Sequence, residues 1–342
     1  MHNLKVVIIG AGIGGLTAGI ALRQAGYEVE IYDRVKELRP AGAGISLWSN
    51  GVKVLNRLGL GEKMAAIGGL MDRMQYLTPK GDVLNNIDLC PLVEEVGQRP
   101  YPVARTDLQQ MLLEAYPGEV KLEHKCIEVQ QDENGVTATF ENGHRTTGDL
   151  LIAADGVRSL LRTYVLGEEV QPKYGYYVNW NGLVPASEDL AAKNSWVIYV
   201  GEHKRASMMP VAGDRFYFFF DVPLPKGTVS SPEDYRAELT EHFQGWAQPV
   251  QNLIQRLDPE DGLVLTQYLL TTNISIEYAL QRYEADRKER TSAVVEKARK
   301  RAEMIHGKEP EITQKWYQQL AQEEPADVRG AIAKVILAGP LR

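Results

Sequence analysis

The chain has 342 residues, with 38 Lys or Arg against 45 Asp or Glu, so its formal net charge is −7. This length predicts about two domains, and a composition of 44% hydrophobic and 24% charged residues excludes a disordered or fibrous protein. The acidic balance argues against a nucleic-acid partner, because proteins that bind nucleic acids carry a basic surface for the phosphates.

The cysteines and the N-terminus bear on compartment and on metals. Cys90 and Cys126 lie far apart and in no CxxC context, and the six histidines show no metal-ligand spacing. We therefore expect a reducing, cytoplasmic location, with no disulfide framework and no metal. The uncharged stretch from Val6 to Leu22 is only 17 residues long and holds five glycines, so it predicts no membrane anchor.

The N-terminal residues predict a strand–helix–strand unit. Residues Lys5–Ile9 carry an apolar run typical of a parallel strand that is covered on both faces. A glycine turn follows, Leu16–Gln24 has helical periodicity, and Glu28–Tyr32 forms the next predicted strand. Together they span about 30 residues, the size of a βαβ unit.

The turn between the first strand and the helix carries a dinucleotide-binding fingerprint. Its glycines Gly10, Gly12 and Gly15 follow the G-x-G-x-x-G pattern, and Asp33 ends the second strand 18 residues after Gly15. In this pattern the glycines allow a tight turn, close approach of a pyrophosphate, and close helix–strand packing. The helix N-terminus attracts the phosphates, and the acid accepts hydrogen bonds from a ribose. The fingerprint predicts FAD or NAD and does not decide between them.

Further along the chain, strand and helix signals alternate and then become mostly strand-like. A strand–turn–strand is predicted in Met74–Leu89, a helix in Arg105–Ala115, and a buried strand in Leu150–Ala154. Two more strands are predicted in Val120–Val129 and Val136–Phe140.

After Lys173, close-spaced aromatic strands predict an antiparallel sheet. These strands are Val178–Val184, Trp196–Val200, Ala206–Val211 and Arg215–Val222. Residues Ala279–His306 alternate in charge and predict a solvated helix.

Two further motifs resemble those of the FAD-dependent aromatic hydroxylases, the para-hydroxybenzoate hydroxylase-like monooxygenases. One is the D-G motif that begins at Asp155-Gly156-Val157-Arg158, and the other is Arg105-Thr106-Asp107-Leu108, similar to the family's R-x-x-L. The resemblance implies FAD as cofactor and NADH or NADPH as co-substrate, without a separate domain for the latter. The implied FAD-binding residues are Gly10, Gly12, Gly15, Asp33, Arg34, Ser46, Arg105, Cys126 and Asp155.

Within that family the chain is similar over nearly its whole length to the FAD-dependent urate hydroxylases. The segments that carry the similarity include Gly175–Leu183, Gly201–Arg205, Arg215–Pro223 and Lys297–Lys308. The resemblance implies that Arg205 binds and activates the substrate, that Tyr217 shares this catalytic role, and that Asn179 is a further substrate contact. It implies hydroxylation of urate at C5 with NAD(P)H and O2, through a flavin C4a-hydroperoxide, in purine metabolism.

This chemistry suits an arginine. Urate is a planar, electron-rich anion that a guanidinium can pair with in bidentate fashion, and loss of a ring proton makes it a better nucleophile. Aromatic walls around it would exclude water. On pattern alone, however, Phe216–Phe220 also fits a plain core strand and Arg205 a surface charge. Arg205 and Tyr217 share a sheet face only if the loop between their strands has an odd number of residues.

The implied fold class is α/β, a Rossmann-type FAD-binding domain with a mostly parallel sheet and an inserted antiparallel substrate domain. We expect the FAD-binding domain in residues 1–73, 100–172 and 261–342 and the substrate domain in 74–99 and 173–260. We expect a monomer or homodimer.

One family feature is not found in the sequence: the strand that leads to G-D-A-x-H and the following P-x-x-G-Q-G loop. The chain passes from Glu260 to Asp261 where that segment of a few dozen residues belongs. Either the protein carries a deletion, or the printed sequence omits residues. A true deletion predicts weak FAD retention and loss of an acidic residue that supports the active-site arginine in the urate enzymes. Alternative functions are hydroxylation of another aromatic acid, or an inactive dinucleotide-binding remnant.

Overall fold

The computed structural model describes residues 4–38, 44–169, 173–257, 264–270, 295–306 and 309–338. The chain forms two compact units. The first unit consists of Met1–Pro40, Leu108–Lys173 and Leu269–Lys297, and the second unit consists of Ala41–Asp107, Tyr174–Tyr268 and Ala298–Arg342. These units divide the chain at other positions than the two predicted domains, whose functional boundaries stay a prediction.

The described strands and helices follow in chain order. The strands are β1 (Lys5–Ile9), β2 (Glu28–Tyr32), β3 (Gly44–Leu47), β4 (Arg73–Leu77), β5 (Val83–Asp88), β6 (Tyr101–Ala104), β7 (Val120–Lys121), β8 (Cys126–Asp132), β9 (Gly135–Phe140), β10 (Arg145–Gly148), β11 (Leu150–Ala153), β12 (Lys173–Pro185), β13 (Ser195–Gly201), β14 (Lys204–Val211), β15 (Arg215–Val222) and β16 (Val264–Leu270). The helices are α1 (Ile13–Gln24), α2 (Ser49–Arg57), α3 (Gly61–Ile67), α4 (Cys90–Val96), α5 (Arg105–Ala115), α6 (Leu161–Leu166), α7 (Tyr235–His242), α8 (Gln248–Gln255), α9 (295–306), α10 (Pro310–Gln322) and α11 (Pro325–Leu337).

The first unit is built on a four-stranded sheet in the order β11-β1-β2-β7, and its neighbouring strands are parallel. Val7 and Ile8 of β1 are fully buried, which explains the continuous apolar run of that strand. Helix α1 connects β1 to β2 and begins directly beyond the carboxyl end of β1. A separate three-stranded antiparallel sheet, β10-β9-β8, completes the described sheets of this unit.

The second unit is built on a seven-stranded sheet in the order β16-β12-β15-β14-β13-β4-β5. Strands β12, β15, β14 and β13 pair antiparallel, and β13 pairs parallel with β4. On one face, Trp180, Phe218 and Phe220 pack with a set of apolar side chains that includes Leu239 of α7, Phe243 directly after α7, and Leu253 of α8. On the other face, apolar residues of β4, β13 and β14 pack with side chains of α9, α10 and α11.

Most of the predicted elements are confirmed. The helix predicted at Arg105–Ala115 and the strand predicted at Arg215–Val222 have the predicted bounds. The prediction of one strand over Val120–Val129 is wrong: the backbone leaves the parallel sheet after Lys121, and Glu123 adopts a left-handed conformation with φ of 58°. Residues 279–294 of the predicted charged helix lie outside the described residues, and residues 295–306 are helical.

The sequence predicts neither a membrane anchor nor a metal site, and the described residues can be searched for both. The helices of the described part of the chain include none with the length and apolar character needed to cross a bilayer. Across the same residues, no group of His, Cys, Asp and Glu side chains has the arrangement that a metal ion requires.

A carboxylate beside the parallel sheet links the stability of the first unit to pH. Burial alone would raise the pKa of Glu30, but hydrogen bonds from Lys121, Tyr32, Lys5 and Thr146 outweigh it and lower the pKa from 4.5 to about 2. The two ammonium groups lie 2.9 and 3.0 Å from the carboxylate oxygens. The charged carboxylate therefore stabilises the fold above about pH 4.5, and this contribution is lost as the pH falls towards 2.

We expect Glu30→Gln to destabilise the protein near neutral pH and to unfold with a weaker pH dependence than the wild type. The difference in unfolding free energy should shrink as the pH falls from 4.5 towards 2, because the wild-type carboxylate then takes up its proton. Urea unfolding at a series of pH values measures this. The matched control is Glu141→Gln, which removes the exposed pair with Lys125 and should change stability by less than about 1 kcal/mol. A constant difference between wild type and Glu30→Gln over that range would contradict the prediction.

Candidate functional site

The glycine turn of the first unit connects β1 to α1 in a conformation that its glycines permit. Gly10 has φ of +111°, and a Cβ added there would lie 2.2 Å from the carbonyl oxygen of Ala154. A Cβ at Gly15 would lie 1.9 Å from the carbonyl oxygen of Gly10. At Gly12, by contrast, an added Cβ meets no atom within 4 Å. The turn is thus closely packed at its ends and open at Gly12, where a ligand can approach the N-terminus of α1.

Asp33 holds this turn from the end of β2. One carboxylate oxygen accepts a hydrogen bond of 2.7 Å from the backbone N–H of Ala11, and the other accepts one of 3.1 Å from Val35. The carboxylate therefore lies beside the open part of the turn. The neighbouring Arg34 is exposed.

The D-G loop follows β11 in the same unit. Asp155 accepts hydrogen bonds from the Ser159 hydroxyl at 2.6 Å and from the backbone N–H of Leu161 at 3.3 Å. The buried guanidinium of Arg162 donates to the carbonyl oxygens of Val157 and Gly156 and so fixes the loop. A cavity of about 480 Å³ lies beside this loop, and its described lining includes Gly14, Asp155 and Gly156.

Three other predicted cofactor residues lie on separate elements. Cys126 begins β8 of the first unit, and burial raises the pKa of its thiol. In the second unit, Ser46 lies on β3, and its buried hydroxyl oxygen has no hydrogen-bond partner among the described residues. Arg105 directly follows β6, the partner of β3, and is exposed at the start of α5. An orphaned hydroxyl and an exposed guanidinium fit a polar ligand.

The register of the antiparallel sheet places the three predicted substrate residues on one face. Three residues, 212–214, connect β14 to β15, which is the odd count that a shared face requires. Arg205 pairs with Asp221, and Met209 pairs with Tyr217. Arg205 and Tyr217 therefore share a face, separated by about 13 Å along the strands. Asn179 lies opposite Asp221 on β12 and belongs to the same face.

A buried ion pair and a chain of amides occupy this face. Arg205 Nε donates to Asp221 Oδ2 at 2.8 Å, and its Nη2 contacts the same oxygen. Asn179 Nδ2 donates to Asp221 Oδ1 at 2.6 Å, and Asn181 Nδ2 donates to Asn179 Oδ1 at 2.6 Å. The side chain of Asp221 is 1% exposed, whereas that of Arg205 is 22% exposed. We call this set of four residues, Asn179, Asn181, Arg205 and Asp221, the Asp221 cluster.

The cluster keeps its charged forms. Burial alone would raise the pKa of Asp221, but the Arg205 guanidinium outweighs it and lowers that pKa below its ordinary value. Burial would likewise lower the pKa of Arg205, and the Asp221 carboxylate raises it instead. The guanidinium also lies 5.3 Å from the centre of the Phe219 ring.

Asp221 was not predicted as a site residue from the sequence. Its position among aromatic residues in β15 was a visible clue, because an aspartate in a buried strand needs a partner. Tyr217 is buried, and its ring lies against Gly44 of β3, where an added Cβ would be 2.3 Å from the ring. The face thus combines the Arg205 cation, the Asp221 carboxylate, amides and aromatic side chains.

Comparisons with known proteins agree with these features. A family model described as FAD binding domain matches residues 3–251. The chain is 41% identical to the FAD-dependent urate hydroxylase of Klebsiella pneumoniae, over 99% of this chain and 100% of that enzyme. It is 31% identical to 6-hydroxynicotinate 3-monooxygenase of Pseudomonas fluorescens, over 73% of this chain and 67% of that enzyme. The crystal structure of the Klebsiella pneumoniae enzyme HpxO with FAD and uric acid is 39% identical, with a TM-score of 0.94, over 100% of this chain and 98% of that chain.

The same comparison shows that this chain is shorter than the Klebsiella pneumoniae enzyme. Its alignment with the Klebsiella pneumoniae enzyme spans 384 positions against 342 residues, so at least 42 positions have no counterpart here. The predicted place of this shortfall, Glu260/Asp261, lies outside the described residues.

We expect Gly12→Ala to weaken FAD binding at least tenfold, about 1.4 kcal/mol, without destabilising the protein. An added methyl group there meets no protein atom within 4 Å, so only a bound ligand can clash with it. Fluorescence titration with FAD and thermal unfolding of the FAD-free protein measure the two effects. Gly330→Ala in α11 is the matched control, since its added Cβ also meets no atom within 4 Å. Equal FAD affinity in both variants would show that the pyrophosphate does not lie at this turn.

Proposed function

The chain belongs to the FAD binding domain family, and from this membership we propose that it is a FAD-dependent monooxygenase that hydroxylates urate at C5 with NAD(P)H and O2. The observation that carries the proposal is the Asp221 cluster. It presents a partly exposed arginine on a buried polar face, in a chain that aligns with urate hydroxylases over nearly its whole length.

The residues around the glycine turn fit the dinucleotide part of FAD. The open space at Gly12, the N-terminus of α1 and the Asp33 carboxylate suit a pyrophosphate and a ribose. We assign the remaining predicted contacts to Gly10, Gly15, Arg34, Ser46, Arg105, Cys126 and Asp155. When bound, FAD would supply the two-electron chemistry with NAD(P)H and O2. The flavin hydroperoxide predicted from the sequence stays a prediction.

Arg205 is suited to bind an anion in a defined orientation. The carboxylate of Asp221 binds the Nε and Nη2 groups of Arg205. The protein therefore fixes the position of the guanidinium plane before any ligand binds. Nη1 donates to no residue that the structure describes, and this edge of the guanidinium is available to a planar anion such as urate. Binding the anionic form of the ring favours attack by its electron-rich carbon atom.

Asn179 and Tyr217 complete the proposed substrate contacts. Asn179 uses its Oδ1 and one N–H within the Asp221 cluster, which leaves its second N–H as a donor to a substrate carbonyl or ring nitrogen. Tyr217 lies on the same face, and its ring, with that of Phe219 5.9 Å away, provides an apolar wall that excludes water.

The shortfall of at least 42 aligned positions supports a second candidate, an inactive dinucleotide-binding remnant. The two candidates differ in FAD retention and in turnover. Similarity to an enzyme named for an aromatic acid also makes aromatic acids the proper comparison substrates.

We expect the flavin-loaded protein to oxidise NADH or NADPH faster when urate is present, and Arg205→Ala to lower kcat/KM for urate by roughly 100-fold, about 3 kcal/mol. The reason is the loss of charge-assisted hydrogen bonds to the anion. Absorbance at the nicotinamide band and product analysis by mass spectrometry measure it. Arg145→Ala, an exposed arginine of the first unit, is the matched control and should keep wild-type kinetics.

Three results would redirect the assignment. Flavin-loaded protein without urate dependence contradicts urate as substrate. Faster turnover of an aromatic acid in the same assay supports the aromatic-acid alternative. Protein that purifies colourless and cannot be reconstituted with FAD supports the remnant.

A further inference from the structure

A histidine that is distant in sequence lies against the Asp221 cluster. His306 is in the last described turn of α9 and is 3% exposed. Its Nδ1 lies 2.9 Å from the backbone carbonyl oxygen of His203. A carbonyl oxygen only accepts hydrogen bonds, so Nδ1 carries a proton. Its Nε2 is buried 3.7 Å from Asp221 Oδ2 and has no hydrogen-bond partner among the described residues.

This arrangement decides the protonation state of the ring. In a neutral His306 with its proton on Nδ1, the bare lone pair of Nε2 would face a buried carboxylate oxygen, and two acceptors would oppose each other without a donor. An imidazolium instead presents an N–H to the carboxylate. The geometry therefore suits the charged ring and disfavours the neutral one.

Two neighbouring features also favour the charged ring. The ring of Tyr177 stacks on His306 with 4.0 Å between ring centres and an angle of 27°, an arrangement that stabilises a cation through its π face. His306 also lies in the turn of α9 nearest its carbonyl end, where a positive charge is favoured.

The net charge of the Arg205–Asp221 pair shows what a charged His306 would add. The pair of Arg205 and Asp221 is neutral as a unit, so by itself it offers an anion oriented hydrogen bonds but no net charge. We infer that His306 is a buried imidazolium that balances Asp221, so that the charge of Arg205 remains available to an anionic substrate. His306 is thus a positioning residue that acts through Asp221. This inference rests on the proposed function of Arg205.

Other titratable and charged groups lie on the elements packed around α9. They are Arg205 on β14, which contacts the same oxygen of Asp221, Tyr177 on β12, Tyr76 on β4, Arg301 on α9, Tyr317 on α10 and Glu202 and His203 in the turn before β14. Burial, and then the His306 ring, lower the pKa of His203, which keeps that neighbour neutral. Burial raises the pKa of Tyr317 to about 12, so it too is neutral. Asp221 is therefore the buried carboxylate that faces the ring.

The first test needs no substrate. Nitrogen NMR of the flavin-loaded protein with labelled histidine reports the protonation of both ring nitrogens, and the His306 signal among the six histidines is the one that disappears in His306→Gln. At about pH 7 we expect both nitrogens of His306 to carry protons, and only Nδ1 to do so in Asp221→Asn. A neutral His306 in the wild-type protein overturns the inference, and this measurement stands even if Asp221→Asn does not fold.

The second test measures what the charge does for the substrate. We expect His306→Gln to raise KM for urate about tenfold at neutral pH with a much smaller change in kcat, because one charge near the anion is lost. His242→Gln, on the opposite face of the sheet near Trp180, is the matched control and should keep the wild-type KM and kcat.

The two tests separate the inference from the proposed function. Urate binding by the wild type together with an unchanged KM in His306→Gln overturns the role of His306 and leaves the proposed function intact. A wild type that binds no urate contradicts the proposed function and the substrate role of His306, and the NMR measurement still decides the charge of the ring.

Discussion

The buried carboxylate of Asp221 is the constraint that organises the second unit. A charge that is 1% exposed is costly unless it is paired and hydrogen-bonded on all sides. Arg205 and Asn179 meet that need from the two neighbouring strands, so the pairing of β12, β15 and β14 must place all three residues in line. A slip of one residue would turn Arg205 to the other face and leave the carboxylate unpaired among aromatic rings. The short connection at residues 212–214 fixes this register, with Gly213 and Asp214 in left-handed conformations.

The same register divides the sheet into two chemically different faces. Phe216, Phe218 and Phe220 alternate along β15 with Tyr217, Phe219 and Asp221. The first set packs against α7 and α8 and supplies an apolar core, so the second set is free to carry polar groups without loss of packing. The strand therefore contributes to the apolar core on one face and to the Asp221 cluster on the other. This explains why the sequence pattern alone fits a plain core strand equally well.

The features that could be predicted from the sequence are those whose signals lie close together along the chain. The β1–α1–β2 unit and its glycine turn were predictable because strand, turn and helix signals lie within a few residues of one another. The roles of Arg205, Asn179 and Tyr217 came from the family resemblance and stay proposals. The shared face of Arg205 and Tyr217 depended on one loop count, which the structure supplies. Asp221 and His306 were missed because their meaning depends on strand register and on the approach of a helix 85 residues later in the chain. The kink at Glu123 was missed because no glycine marks it.

The Asp221 cluster also changes what the shortened chain implies. The resemblance to the urate enzymes implies that an acidic residue supports the active-site arginine, and that this residue lies on the segment not found here. Loss of that segment would by itself leave Arg205 without a carboxylate. In this chain Asp221 pairs with Arg205 from within the sheet, and Asn179 holds the other carboxylate oxygen. Arg205 is therefore oriented by residues that do not belong to the shortfall, and the glycine turn in the first unit is also intact. A deletion at Glu260/Asp261 should then weaken FAD retention more than anion binding, since the elements that orient Arg205 are the strands of the sheet itself.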